Sequence, residues 1–299
     1  MPSANAGLIL EGGGNRGVFT AGVLQYFMER QLNLPYVIGV SAGACNAVNY
    51  VSNQPFRSRE CMIDAQQKYP YTGLKQFLKQ RTVFNMDLLF DDFPNKLVPF
   101  DYQTFFQSDK TCYFVATNCL TGQAEYLEER KSKQRLMAIC RASSSLPLMA
   151  HMVDVDGTPM LDGGMADSIP ICRALRDGYK KNVLILTRPK GYRKKTNSRY
   201  NRLVRIAYRN YPKLVRTTLR RPLVYNRTLE FIEHHEEKGH LFVIRPQIPV
   251  VRSTETQTDL LQKFYDHGYE YARQIYPDLC KYLNISEDLH ESGKNKPHQ

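Results

Sequence analysis

Two junctions within the first 52 residues constrain this chain more than any other feature. The run "GLILE" (7–11) ends in Gly12-Gly13-Gly14-Asn15-Arg16-Gly17, and "YVIGV" (36–40) ends in Ser41-Ala42-Gly43. Consecutive apolar residues of this kind belong to strands buried on both faces. Each turn leads straight into a helical pattern. Residues 17–30 carry Phe19, Val23 and Phe27 at i, i+4 spacing, and "AGACNAVNYVS" (42–52) follows the second turn. The small residues Gly17, Ala21 and Gly22 are expected to let the first helix sit close to a sheet. The order β-α-β-α implies parallel strands joined by right-handed crossovers, and hence an α/β fold.

The rest of the chain extends this pattern. Residues 53–105 read as helix and loop without a firm order. "TCYFVATN" (111–118) and "AEYLE" (124–128) read as a hairpin, and "KQRLMAICRASSSLP" (133–147) as a helix that Pro147 helps to end. "MVDVDGTPMLDGG" (152–164) reads as two short strands about an Asp156-Gly157 turn. "NVLILTRP" (182–189) and "HLFVIRP" (240–246) are further strands, and residues 258–276 form a helix bearing Leu261, Phe264, Tyr265 and Tyr269. The polar tail from about Ser286 is expected to be disordered.

No apolar run reaches the length of a membrane span, and the N-terminus lacks the charged and apolar regions of a signal peptide. The seven cysteines are scattered, with no C-x-x-C pair, which points to reduced thiols in a cytoplasmic protein. No His/Cys cluster has zinc-ligand spacing, so no metal site is expected. Between Arg188 and Arg227 stand 14 Lys/Arg and no Asp or Glu, more than the net charge of +12 for the whole chain. The basicity is therefore local. Three readings of 188–227 stay open: peripheral contact with an anionic membrane, nucleic-acid binding, or the solvated face of a helical cap. In this segment Leu203, Ile206 and Ala207, and then Leu214, Val215 and Leu219, are expected to form the apolar sides of helices.

The first turn fits G-x-G-x-x-G, the layout of a dinucleotide-binding loop. Such a site wants a ribose-binding carboxylate at the end of the second strand, where this chain has Val40-Ser41-Ala42. Instead Gly39-Val40-Ser41-Ala42-Gly43 is G-x-S-x-G between a strand and a helix, the setting of a nucleophilic serine. The alternative is a plain tight turn with a serine cap. Backbone amides of Gly12, Gly13 and Gly14 can then serve as oxyanion donors, for the same reason that such turns hold phosphate. Arg16 either binds an anionic head group, orders the loop or is simply exposed. Of the seven histidines only His151, near the Pro147 loop, is a candidate base. Asp162 in "MLDGGMADSIP" is the better one, because Gly163-Gly164 frees the backbone around its carboxylate, although Asp-Gly-Gly is also a common turn.

G-G-G-x-R-G, G-x-S-x-G and D-G-G in this order resemble the patatin-like phospholipase family. The similarity extends over about residues 7–190, including "RASSSLPLMAHMVDVDGTPMLDGGMADSIPI" (141–171) and "FVATNCLTGQAEYL" (114–127). The resemblance implies a three-layer α/β/α sandwich with a mostly parallel sheet, and a lipid acyl hydrolase that needs no metal or cofactor. It implies Ser41 as nucleophile, Asp162 as base and Gly12–Gly14 as oxyanion hole, with Arg16, Gly17, Gly39, Gly43, Gly163 and Gly164 supporting these motifs. The implied substrate is a phospholipid or related acyl ester. Other readings are a non-lipid carboxylesterase with the same dyad, or a nucleotide- or nucleic-acid-binding protein. Residues 7–190 are then the catalytic domain, 191–285 a basic helical and C-terminal section packed on it, and 286–299 the tail.

Overall fold

The computed structural model describes residues 5–69, 82 and 84–286. Part of the 53–105 region and nearly all of the expected tail lie outside them. The chain runs β1 (Ala6–Leu10), α1 (Gly17–Glu29), β2 (Tyr36–Val40) and α2 (Ala42–Val51). Short helical segments follow at Arg57–Lys68, Leu88–Leu97 and Tyr102–Gln107. Next come β3 (Thr111–Asn118), β4 (Ala124–Leu127), α3 (Lys133–Ser144), β5 (Val153–Val155) and β6 (Thr158–Asp162). The remainder is α4 (Ile171–Arg176), β7 (Lys181–Ile185), α5 (Ser198–Ala207), α6 (Pro212–Glu237), β8 (Leu241–Ile244) and α7 (Thr258–Leu283).

The strands form one sheet in the order β5-β6-β3-β2-β1-β7-β8, with β4 also on β3. The five strands β3, β2, β1, β7 and β8 are parallel, β4 and β6 pair antiparallel with β3, and β5 pairs antiparallel with β6. Alternation along each strand explains the layers. Leu8 and Leu10 of β1 pack into the larger apolar cluster with α1, α2, α3 and α7. Ile9 points the other way, into a second cluster with Ile171 of α4 and Leu229 and Ile232 of α6. A strand with apolar residues on both faces needs a helical layer on each, so the fold is a three-layer α/β/α sandwich.

Two expectations change. Gly22 on α1 does not serve a close approach to the sheet: a Cβ there would strike the backbone of Tyr265 and Tyr269 on α7. Helix α1 is buried almost all round because α7 covers its outer side. In the basic segment, α5 buries Val204, while Leu203 (55% exposed) and Ile206 (64% exposed) face solvent. In α6, Leu214 is buried together with Thr218, and Val215 and Leu219 are only partly covered.

Candidate active site

β2 passes into α2 with no intervening loop, and Ser41 takes the corner at φ 56°, ψ −123°. A non-glycine residue in this region costs on the order of 1–3 kcal/mol and persists only where its surroundings hold it. The hold is visible. Side chains at Gly39 and Gly43 are excluded, since a Cβ would strike the Gly43 carbonyl and the Leu10 carbonyl respectively. The Ser41 N–H donates to Ser143 Oγ (2.9 Å), which itself donates to the Val115 carbonyl (2.6 Å). The Ser41 carbonyl accepts from Ala44 and Cys45, which starts the helix. Its hydroxyl makes no cap bond and stands at the positive, N-terminal end of that helix.

Asp162 reaches Ser41 through sheet register. Phe114 and Val115 pair with both β2 and β4, whereas Ala116 and Thr117 pair with both β4 and β6. Strand β4 thus fills one edge of β3, and β2 and β6 share the other, end to end. β2 stops at Val40 opposite Val115, and β6 stops at Asp162 opposite Ala116. The residues that follow these two ends, Ser41 and the Asp162-Gly163 turn, must meet over the same point of β3. Asp162 is buried (2% exposed), and its Oδ1 accepts the Gly164 N–H at 2.7 Å. Oδ2 is buried without a well-formed hydrogen bond, yet the Ser41 hydroxyl is close enough to favour its charged form. Burial pushes the Asp162 carboxyl above the ordinary carboxylate range. The Arg221 guanidinium, Ser41, the Gly164 N–H and Lys194 hold it back.

The glycine loop abuts this pair. A Cβ on Gly12 would lie 3.0 Å from Ser41 Cβ. The N–H groups of Gly12, Gly13 and Gly14 donate to no backbone carbonyl among the described residues. The loop is fastened from outside: Asn15 N–H donates to the Ser253 carbonyl (2.9 Å) and Asn15 Nδ2 to the Glu255 carbonyl (2.5 Å). Gly14 itself adopts φ 56° against Ser253. Beside Ser41 opens an apolar pocket whose walls include Met86, Phe90, Phe93, Met137, Leu146 and Met149. Such a wall suits an alkyl chain leading to a carbonyl at the serine.

The structure therefore brings Ser41, Asp162 and Gly12–Gly14 together, with Gly39, Gly43 and Gly163 as close-contact positions around them. A Cβ on Gly17 would meet Ala42 Cβ, so it lets α1 start against α2. His151 is exposed. No group of three or more His, Cys, Asp or Glu among the described residues is arranged to hold a metal ion. Reading the sequence missed Ser143, Ser253, Lys194 and Arg221. Only Ser143 left a signal, as part of the small-residue run before Pro147. Ser143→Ala strands a buried N–H and a buried carbonyl. It should destabilise the fold by about 1–3 kcal/mol, read as a lowered denaturation midpoint with an unchanged denaturant slope.

Three comparisons bear on this site. Residues 8–175 match the patatin-like phospholipase family, and residues 211–284 match a domain of unknown function, DUF6363. The chain is 31% identical over 251 residues to the uncharacterized protein YjjU of Escherichia coli strain K12, covering 81% of this chain and 69% of that one. It is similar in fold to the crystal structure of VipD from Legionella pneumophila, with a TM-score of 0.50 and 13% identity, over 91% of this chain and 67% of that one.

Proposed function

Since the chain belongs to the patatin-like phospholipase family, we propose that it is a serine hydrolase that releases fatty acid from phospholipids or related acyl esters. One observation carries this reading: two strands ending head to head on β3 set a strained serine against a buried aspartate with one oxygen unengaged. Ser41 Oγ attacks the ester carbonyl as its proton passes to Asp162 Oδ2. Oδ1, bound to the Gly164 N–H, keeps the carboxylate oriented. The tetrahedral oxyanion is taken by the Gly13 and Gly14 amides, with Gly12 behind them. Collapse expels the alcohol, which receives the proton from Asp162. Water, giving its proton to the same oxygen, then attacks the acyl-enzyme, and collapse frees the acid as Asp162 returns that proton to the departing Ser41 Oγ. The apolar pocket beside Ser41 favours a lipid acyl chain over a short ester.

The test is labelling with a fluorescent fluorophosphonate, followed by identification of the modified peptide. Adduct on Ser41 supports the reading. Folded protein that neither labels nor hydrolyses medium-chain p-nitrophenyl esters, with or without vesicles, refutes it.

We further propose that α5 meets an anionic membrane. No helix among the described residues is long and apolar enough to cross one. Yet α5 sets exposed Leu203 and Ile206 among exposed Arg199, Arg202, Arg205 and Arg209. Apolar insertion and attraction to anionic lipid would act together there. The double variant Leu203→Glu/Ile206→Glu should sediment with phosphatidylglycerol vesicles at least about tenfold more weakly, since burying either side chain is worth roughly 1.5–3 kcal/mol. Unchanged sedimentation would remove the proposal.

A further inference from the structure

The side of the site away from the acyl pocket holds a concentration of positive charge that the acyl chemistry leaves unexplained. Arg16 follows the glycine loop, Arg188 and Lys194 lie on the segment after β7, and Arg221 is on α6. All four are half-buried. They come close enough to interact: Arg16 with Arg188, and Lys194 with Arg16, Arg188 and Arg221. Arg221 sits against the Asp162 turn, its Nη2 3.1 Å from where a Gly164 Cβ would stand. Arg16 Cβ lies 3.2 Å from the equivalent point on Gly13. The group thus spans from the oxyanion loop to the aspartate.

Its charge is only partly met within the protein, by Asp162 facing Arg221 and Lys194 and by Glu11 near Arg16 and Lys194. None of the four forms an ion pair among the described residues. The nearby carboxylate, Glu11, is already engaged on both oxygens, by Thr187 N–H (2.6 Å) and by Tyr225 Oη (2.7 Å). Arg16 Nε and Arg221 Nε are buried with no hydrogen-bond partner. The cations are nevertheless held in place. Arg188 lies over Tyr192 (4.4 Å to the ring centre) and Lys194 over Tyr225 (4.3 Å). The Lys194 backbone is clipped to Asn226 of α6 in both directions, at 2.8 and 3.1 Å. Like charges fixed this close, with donors unmatched, make a setting that favours a bound anion.

We propose that Arg16, Arg188, Lys194 and Arg221 form a phosphate subsite beside the Ser41–Asp162 pair, so that the preferred acyl ester carries a phosphate next to the glycerol backbone. This rests on the hydrolase reading for its biological use, but the binding itself does not need the dyad to work. Desolvation first, and then Arg221, bring Lys194 down to about 7, with Glu11 opposing and Arg16 and Arg188 adding to the fall. Desolvation and Arg188 bring Arg16 to about 10. A bound dianion would reverse both shifts.

The test uses Ser41→Ala protein, which separates anion binding from turnover, and inorganic phosphate or sulfate as probes in calorimetry. Saturable binding that weakens at least tenfold in Lys194→Met and in Arg188→Gln is expected; two variants guard against one that misfolds. Sulfate, whose charge is constant from roughly pH 6 to 8.5, should bind more weakly as Lys194 loses its proton across that range. In the active protein, the ratio of kcat/KM for a lysophosphatidic acid over a monoacylglycerol of equal chain length should fall at least tenfold in the same variants. Phosphate binding with this fall assigns the site to a lipid head group. Phosphate binding without it assigns the site to free phosphate. No binding in Ser41→Ala protein and no change in the ratio overturn the proposal. Absence of esterase activity in the wild-type protein, with phosphate binding present, would instead count against the hydrolase reading alone.

Discussion

Ser41→Ala is expected to abolish fluorophosphonate labelling and to lower ester hydrolysis by about 10³-fold or more, because a nucleophile that forms the covalent intermediate has no substitute in the site. The fold should tolerate the change in size but not gain from it. The corner conformation of Ser41 at φ 56° is imposed on alanine as well, since Gly39, Gly43 and Ser143 still enforce the turn. Melting close to that of the parent, together with complete loss of labelling, isolates the hydroxyl as the missing element. Residual hydrolysis within tenfold of the parent would mean that another group carries the reaction, and the assignment of Ser41 would fail.

Asp162→Asn is expected to cost roughly 10²- to 10⁴-fold in kcat, the range for removal of a positioned general base. The wild-type pH profile should show the same group. The acid limb of kcat/KM is expected above the ordinary aspartate value of about 4, because burial raises the Asp162 carboxyl. Removing the opposing cation in Arg221→Met should move that limb to still higher pH. A raised carboxyl also has a stability signature. Folded chain holds the proton over a window, from about 4 up to its folded pKa, in which unfolded chain has lost it. Stability contributed by this group therefore falls as pH rises through that window, and above it the buried charge is a standing cost. Asp162→Asn should then melt no lower than the parent at neutral pH while being far less active. A variant that is inactive and clearly less stable would indicate a structural carboxylate rather than a base.

The two turns of the candidate site were legible because they are local. Ser41 and Gly12–Gly14 sit at strand-to-helix turns whose glycines leave little room for a side chain, and such turns leave a mark within five or six residues. The strands were legible for a similar reason: five-residue apolar runs with both faces covered have few other uses. The basic segment was not. Counting charges between Arg188 and Arg227 could not separate Lys194 and Arg221, which turn inward toward Asp162, from Arg202 and Arg205, which face solvent. Nor could periodicity say that Val204, rather than Leu203 and Ile206, is the buried side of α5. Short amphipathic helices with apolar residues on two sides can pack either way, and the neighbouring surface chooses.

By itself, then, the sequence determined the α/β order, the two turns and the residues able to act there, since each depends on contacts within a few positions. The tertiary structure alone decided that β2 and β6 share one edge of β3. This brings Ser41 to Asp162 across more than a hundred residues of chain. It also decided that Ser143 holds the corner and that four cations gather near Ser41 and Asp162. Register and long-range charge come from which surfaces remain to be covered once the sheet has formed, and no short stretch of sequence encodes that choice.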